Sequence, residues 1–260
     1  MNYETIDVSR QGCACVITLA RPEKKNAFNI EMKTELMAAL AGAEADSEVR
    51  AVVFTSAESY FSAGQDLNEA LAAESTAQIK AMLSSWHKLN DAVEQLGMPV
   101  LAAIEGFCIT GGLEFALACD IRIAGEGATF NITSSRIGTV AGAGGTQRLP
   151  RIVGQSKAME ILFSAEPIDA TEAFRIGLVN QITPKGGALA KALEMVAVYE
   201  QRAPLSLGLA KKAVRQGMQM DFQSAIEFET YIVSTIYQTA DKKEGISAML
   251  EKREPSFTGT

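Results

Sequence analysis

The sequence predicts an α/β fold that ends in a purely helical region. Strand-like apolar segments alternate with segments of helical periodicity over most of the chain, and glycine-containing turns follow two of the strands. From residue 188 onward only helical patterns remain. A hydrophobic content of 47% in 260 residues is enough for a sizeable core. We place one boundary near residue 190, between a core at 1–190 and a helical region at 191–260.

The first elements are recognised by their apolar periodicity. In chain order they are a β-hairpin with strands at 3–8 and 13–19 around Arg10-Gln11-Gly12, a polar turn at 21–26, a helix containing Met32, Leu36, Met37 and Leu40, a buried strand at 50–56 and a glycine-containing turn at 61–66. The turn at 61–66 therefore lies at the carboxyl end of a predicted strand.

A second strand-turn-helix cycle follows the first. In chain order it comprises a helix at 78–96 ended by Pro99, a strand at 100–104, a loop at 106–112 that opens a further helix, and strand-like segments at 120–124 and 129–132. Four helices are then predicted at 188–201, 204–219, 221–239 and 241–252. A tail of this kind packs on its own core or mediates assembly.

Charge and composition exclude several classes of function. The 24 basic and 31 acidic residues give a net charge of −7, which opposes non-specific binding to nucleic acid. The start of the chain does not resemble a signal peptide, and no apolar run reaches membrane-spanning length, so we expect a cytoplasmic protein without membrane contact. The four cysteines form no C-x-x-C pair, so we expect buried thiols and no metal site.

Two turns of similar design, at 62–66 and 110–114, each follow a strand and contain glycine. Glycine lets a ligand approach the backbone closely, and the second turn opens a helix, whose unpaired amides favour negative charge. Two amides converging on one oxygen would form an oxyanion hole. Alternatively, the glycines serve backbone geometry alone. Ligands bind beyond the carboxyl ends of strands in α/β proteins, which favours the first interpretation.

Glu114 stands near the start of a strongly apolar helix. Burial would raise its pKa and suit it to general acid or base chemistry, while a capping carboxylate is the competing interpretation. The spacing of the residues alone favours neither interpretation of Glu114. We interpret Glu105, Asp120 and the lone His87 as structural residues. The glycine-rich segment at 142–150 has neither the P-loop ending nor the G-x-G-x-x-G spacing, so a nucleotide site is not predicted.

Six segments in order resemble the crotonase superfamily, the enoyl-CoA hydratase/isomerase family. They are RPEKKNAFN at 21–29, YFSAGQDL at 60–67, AAIEGFCITGGLEFALACDIRIA at 102–124, ATFNITSSRIGTVAGAGGTQRLPRIVG at 128–154, IDATEAFRIGLVNQI at 168–182 and GISAMLEKREPSF at 245–257. The resemblance implies a spiral of repeated ββα units and a C-terminal helical trimerisation region. It also implies homotrimers, commonly stacked as hexamers.

The resemblance also implies an acyl-CoA thioester substrate and a set of site residues. The backbone amides of Ala63 and Gly111 would form the oxyanion hole, with Glu114 as the catalytic carboxylate. Coenzyme A, as part of the substrate and with no separate cofactor, would lie along two segments. The predicted binding residues are Arg21, Lys24, Lys25, Ala27 and Phe28 in the first, Ala63, Gly64, Gln65, Asp66 and Leu67 in the second, together with Gly111 and, from a neighbouring subunit, Lys252. For each lysine, simple solvation is the alternative.

Ser134 occupies the position where hydratases of this family carry a second glutamate. A hydroxyl cannot serve as a general base near neutral pH. Reversible hydration of a 2-enoyl-CoA, as in fatty-acid or related acyl-CoA degradation, remains the leading prediction. The alternatives are an isomerase, decarboxylase or thioester hydrolase of the same superfamily, or a non-catalytic protein that binds CoA esters.

Overall fold

The computed structural model describes residues 3–260. Its strands are β1 Ile6–Gln11, β2 Ala14–Leu19, β3 Ala51–Ser56, β4 Val100–Ile104, β5 Phe107–Ile109, β6 Ile121–Gly125, β7 Thr129–Asn131, β8 Ile168–Asp169 and β9 Gln181–Thr183. A mixed sheet has the strand order β1-β2-β3-β4-β6-β9, and a small second sheet has the order β5-β7-β8. The predicted α/β alternation is therefore present.

The helices are α1 Ile30–Ala45, α2 Leu67–Ala72, α3 Thr76–Gln95, α4 Gly111–Ala116, α5 Gly145–Val153, α6 Gln155–Ser164, α7 Ala170–Arg175, α8 Ala188–Glu200, α9 Pro204–Gly217, α10 Phe222–Ile236 and α11 Ala240–Glu251. The four predicted C-terminal helices correspond to α8–α11. None of the helices in residues 3–260 is long and apolar enough to cross a membrane.

The first strand lies further along the chain than predicted. It runs to Gln11, and the turn is made by Gly12 and Cys13, with Gln11 opposite Ala14. Gly12 has φ 59°, a conformation that glycine adopts without strain. The apolar pattern misplaced β1 because an edge strand can face solvent, and all of its residues after Ile6 are exposed.

Helices cover both faces of the larger sheet. One face packs with α1 and α3 into the main core, which includes Phe28, Phe54, Trp86 and Phe115. The other face packs against Ala188, Ala192 and Val196 of α8. The predicted boundary near residue 190 therefore falls within a helix that completes the core, and the division into two regions stays a prediction.

Chain segments meet at the carboxyl ends of the central strands. The turn after β3 lies between two neighbours, because Phe28 N–H donates to Gly64 O at 2.7 Å and Ile109 N–H donates to Ser62 O at 2.9 Å. The predicted loop at 106–112 contains the short strand β5, which forms a bridge between Ser62 and Cys108. Both glycine-containing turns are thus held side by side.

Candidate active site

The amides of Gln65 and Gly111 lie together where the two turns meet. A Cβ built on Gly111 would be 3.0 Å from the Gln65 nitrogen, and one built on Gly64 would be 2.9 Å from the Gly111 nitrogen. Neither N–H has a hydrogen-bond acceptor within the described chain. Two unpaired amide donors in one place are suited to binding an oxyanion.

Ala63 does not fit the role predicted for it. Its N–H donates to the carbonyl of Lys25 at 3.0 Å and is therefore already occupied. Gln65, two residues later, forms a parallel bridge with Phe28. In this bridge the Phe28 N–H donates to Gly64 O, and the Asp66 N–H donates to Phe28 O. The N–H of Gln65 consequently points away from Phe28, toward Gly111. The structure replaces Ala63 with Gln65 as the partner of Gly111.

Thr110 directs the Gly111 amide and has an unusual backbone conformation. Its φ of 45° and ψ of −108° are costly for a β-branched residue. The conformation is held by Thr110 N–H donating to Asn131 O at 2.8 Å and by the Thr133 N–H donating to Thr110 Oγ1 at 2.9 Å. Helix α4 then begins at Gly111, so the N–H of this residue has no partner inside the helix.

Glu114 lies one turn into α4 and is only 2% exposed. Its Oε1 accepts hydrogen bonds from the N–H groups of Ala143 and Gly145, both at 2.8 Å. Its Oε2 has no hydrogen-bond partner among residues 3–260. The carboxylate is therefore anchored through one oxygen, and the other is available for chemistry.

Burial raises the pKa of Glu114, against the lowering effect of the Gly145 and Ala143 N–H groups and of the Arg148 charge. Gly145 must be a glycine here, because a Cβ would lie 2.9 Å from Glu114 Cγ and Oε1. The interpretation of Glu114 as a cap of its own helix is not supported, since its bonds go to the loop that begins α5. A buried carboxylate with a raised pKa and one unbonded oxygen fits a general base.

Ser134 is buried beside the turn that opens α4. It follows Thr133, whose Oγ1 lies 2.8 Å from Thr110 Oγ1, and it begins a short 3-10 turn at Ser134–Ile137. The residue before Ser134 is thus bonded to the strained Thr110. The segment contributes a hydroxyl to this region and no carboxylate.

The predicted CoA residues of the first segment have unequal surroundings. Lys24 and Lys25 are exposed and form no ion pair among the described residues. Arg21 is instead engaged, because its NH1 donates to Asp66 Oδ2 at 2.7 Å and to Ala27 O at 2.9 Å. Phe28 is fully buried, between Trp86 and Phe115. Its side chain therefore belongs to the core while its backbone shapes the site, and its predicted contact with coenzyme A stays a prediction.

The second segment and Lys252 can be located in the same way. Asp66 is buried in its ion pair with Arg21, whereas Leu67 is exposed at the start of α2. Gly64 has φ 96°, so only glycine suits it. Lys252 is exposed at the end of α11. Its predicted contact involves another subunit and stays a prediction.

Two of the three residues interpreted as structural have structural partners. Asp120 pairs with Lys211 and Arg215, each at 2.9 Å, and Glu105 accepts from the Ala188 N–H at 3.1 Å. His87 is exposed on α3. The four cysteines are buried, as predicted.

Three residues that support the site were missed by sequence reasoning. Asn26 is fully buried and its amide donates to Phe61 O at 3.1 Å. Asn90 donates to Ala143 O at 2.7 Å, and Trp86 donates to the Gln65 side chain at 2.6 Å. The helical spacing of Trp86, Leu89 and Asn90 could have indicated two of them, because it places all three on one face of α3. A polar group on an apolar face requires a buried hydrogen-bond partner.

Comparison with known proteins shows the family of the chain. Residues 9–260 match the family model described as enoyl-CoA hydratase/isomerase. The chain is 39% identical to a probable mitochondrial enoyl-CoA hydratase 2 of Arabidopsis thaliana, with 94% of this chain and 81% of the relative covered. It is 36% identical to a short-chain-enoyl-CoA hydratase of Clostridium acetobutylicum, with 98% and 97% covered.

A solved structure shows the same fold. The enoyl-CoA hydratase from Bacillus anthracis superimposes with a TM-score of 0.94 at 34% sequence identity, covering 99% of this chain and 100% of the other. The match extends over the strands, the two turns and the C-terminal helices. On both sequence and structure, the chain belongs to the enoyl-CoA hydratase/isomerase family.

Proposed function

We propose that this enzyme adds water reversibly across the 2,3 double bond of a 2-enoyl-CoA thioester. The observation that carries the proposal is the pair of unpaired amides at Gln65 and Gly111 beside Glu114, whose Oε2 is unbonded. Relatives named as enoyl-CoA hydratases support the same reaction. Fatty-acid or related acyl-CoA degradation is the setting that fits it.

The thioester oxygen is bound by the N–H groups of Gln65 and Gly111. Glu114 Oε2 orients a water molecule and removes one proton as the oxygen attacks Cβ. The electron pair of the double bond moves toward the carbonyl, and the resulting enolate oxygen rests on the two amides. The proton held by Glu114 is then delivered to Cα, which restores the thioester and the carboxylate.

Because Ser134 has no carboxylate, Glu114 carries out both proton transfers. With a hydroxyl where hydratases of the family carry a second glutamate, no carboxylate from this segment shares the work. This substitution also disfavours simple isomerisation, which in the family often uses a carboxylate at this position. Thioester hydrolysis and decarboxylation remain alternatives that product analysis distinguishes.

Coenzyme A binds along the loop at 21–28, with Lys24 and Lys25 facing its phosphates. Their exposure and lack of ion pairs support this role. A local basic pair can hold a polyanion even though the chain carries a net charge of −7. Arg21 acts indirectly, by tying this loop to Asp66.

We further propose that the core is a spiral of ββα units and that the C-terminal helices build a trimer, which stacks into a hexamer. Helices α9–α11 and the turn after α9 expose several large apolar side chains that support an interface: Val214, Met218, Phe222, Tyr231, Met249 and Leu250. In such an assembly Lys252 would reach the CoA of a neighbouring subunit. The proposed location is the cytoplasm.

Crotonyl-CoA tests the reaction directly. Hydration removes the conjugated enoyl-thioester absorbance, and we expect the purified protein to do so with 3-hydroxybutyryl-CoA as product. Glu114→Gln keeps the shape of the side chain but removes the base, so we expect a loss of 10²-fold or more, an order-of-magnitude estimate, in kcat. Binding of CoA esters without turnover of any enoyl-CoA would instead identify a non-catalytic binder, and free CoA would identify a thioesterase.

A further inference from the structure

We propose that the side chain of Gln65, held by Trp86, is a positioning device that sets the spacing of the two oxyanion-hole amides. The inference rests on the proposed oxyanion hole and assigns a role to side chains around it. Gln65 contributes its backbone N–H to the hole, while its side chain is bonded to groups behind it. The indole of Trp86 contacts both turns.

Trp86 connects the turn at 62–66 to the start of α4. Its Nε1–H donates to Gln65 Oε1 at 2.6 Å. The six-membered part of the same ring lies against Gly111, since a Cβ built there would be 2.9 Å from Cζ2 and 3.2 Å from Cη2. A rigid ring that touches both residues fixes how far apart their amides can be.

The remaining atoms of the Gln65 amide are also bonded. Lys33 Nζ donates to Oε1 at 3.4 Å, and Nε2 donates to Asp66 O and to Glu69 Oε2, each at 3.2 Å. Oε1 thus receives two donors and Nε2 meets two acceptors, so only one orientation of the amide satisfies all four contacts. The side chain cannot rotate without losing these bonds.

The support behind Gln65 is itself rigid. Trp86 is 2% exposed and packs on Phe28, with ring centroids 4.8 Å apart. Lys33, also 2% exposed, has its Nζ 5.1 Å from the centroid of the Trp86 ring. Burying a lysine ammonium or an indole N–H is unfavourable unless the group has a polar partner. Both groups are directed at the Gln65 side chain, an arrangement that packing alone does not require.

A purely structural role and a positioning role differ in kinetics. If Trp86 and Gln65 only fill space, their replacement lowers stability and leaves turnover of the folded fraction unchanged. If they set the amide spacing, their replacement weakens the hydrogen bonds to the thioester oxygen that matter when negative charge develops on it. It then affects kcat more than KM.

Two variants remove the hydrogen bond from opposite sides. Trp86→Phe keeps an aromatic ring but lacks the N–H, and Gln65→Met keeps the length and the backbone amide but lacks the acceptor. We expect each to lower kcat about tenfold with KM changed by less than about threefold. Because both remove the same bond, the double variant should lose far less than the roughly hundredfold product of independent effects. His87→Ala, exposed on the same helix, is the control and should retain wild-type kinetics.

A spectroscopic measurement separates this inference from the hydratase proposal. A conjugated dienoyl-CoA bound in the oxyanion hole absorbs at longer wavelength, because the amides polarise its carbonyl. We expect this red shift to shrink in both variants at nearly unchanged Kd. Wild-type kcat and an undiminished red shift in folded Trp86→Phe and Gln65→Met would overturn the inference and leave the hydratase proposal standing.

The other outcomes are also decisive. If the wild type binds the dienoyl-CoA with a red shift but hydrates nothing, the hydratase proposal fails, and the size of the shift in the variants still decides the inference. Absence of any red shift in the bound wild type would overturn both. Should Trp86→Phe not fold, Gln65→Met carries the same comparison, since its side chain is only partly buried.

Discussion

At Glu114 the two oxygens of one carboxylate have different surroundings. Oε1 is held by the N–H groups of Ala143 and Gly145, and Oε2 is unbonded within the described chain. Anchoring one oxygen orients the other without holding it in a fixed bond. Burial raises the pKa of the group, which makes the carboxylate a stronger base when it is ionised.

This pKa gives the rate a defined dependence on pH. Glu114 must be ionised to accept a proton from water, so kcat/KM falls as the pH drops through its pKa. Because burial raises that pKa, we expect the acid limb above the ordinary value of 4.5. A pH profile of crotonyl-CoA hydration measures this. An acid limb at or below 4.5 would show that another group controls the rate.

Gly111 is the residue where a single methyl group tests the oxyanion hole. An added Cβ would lie 2.9 Å from Trp86 Cζ2 and 3.0 Å from the Gln65 nitrogen, so the amide must move. For Gly111→Ala we expect kcat to fall about 10²-fold, as when an oxyanion donor is lost. The measurement is steady-state kinetics with crotonyl-CoA.

Gly42 provides the matched control for that substitution. It lies inside α1 with no atom within 4 Å of a Cβ, so Gly42→Ala should leave kcat unchanged. It should also raise the free energy of unfolding by about 0.5–1 kcal/mol, because alanine is the better helix former. Equal kinetics for Gly111→Ala and Gly42→Ala would argue against the proposed hole.

At the scale of elements, ion pairs join the helices around Glu114. Arg148 on α5 donates to Glu94 on α3 through Nε at 2.7 Å and NH2 at 2.9 Å, and Arg215 on α9 donates to the same carboxylate at 2.9 Å. Arg148 also donates to Ala143 O at 3.3 Å. These pairs therefore fix the loop that anchors the Glu114 carboxylate.

Glu94→Gln would remove the carboxylate that two partly buried arginines share, leaving Arg215 paired with Asp120 and Arg148 with Asp91 at 3.7 Å. The Glu94 and Arg148 side chains are 25% and 16% exposed, so solvent screens them only in part. We expect the free energy of unfolding to fall by about 1–3 kcal/mol, measured by denaturant titration. Glu166→Gln breaks the exposed pair with Arg136 and should cost less than about 1 kcal/mol. Equal losses would mean that the pairs around α5 are no stronger than surface ones.

At the scale of the whole molecule, the exposed apolar side chains of α9–α11 bear on assembly. Met249 and Leu250 are largely exposed, at 83% and 79%. An exposed apolar surface of this kind favours contact with another protein. The proposed trimer would cover it and bring Lys252 toward a second subunit.

Sedimentation of the purified chain tests this assembly. We expect three times the mass of one chain, or six times for the hexamer. The double substitution Met249→Asp and Leu250→Asp should reduce the measured mass to that of a single chain. Val8→Asp, on the edge strand β1, should leave the mass of the assembly unchanged. A wild-type mass equal to a single chain at micromolar concentration would contradict the trimer.

The sequence by itself determined the class of the fold and, through resemblance, the family, and it predicted Glu114 as the carboxylate of the site. Apolar periodicity placed β4 at its observed bounds, because every residue of that strand is buried. It also placed α8–α11 within a few residues, although α9 buries none of its residues in the structure of residues 3–260. Apolar periodicity misplaced the edge strand β1 and did not predict the short strand β5. The first is exposed, and the second, at three residues, is too short to show a period.

Only the tertiary structure decided which amide accompanies Gly111. Ala63 and Gln65 lie two residues apart in one turn, and local sequence cannot show that Lys25 occupies the first N–H. The roles of Trp86 and Arg148 likewise depend on partners far away in the chain. The direction of a backbone N–H depends on which segments lie on either side of it, and that is settled when the loop at 25–28 and β5 pack against the turn.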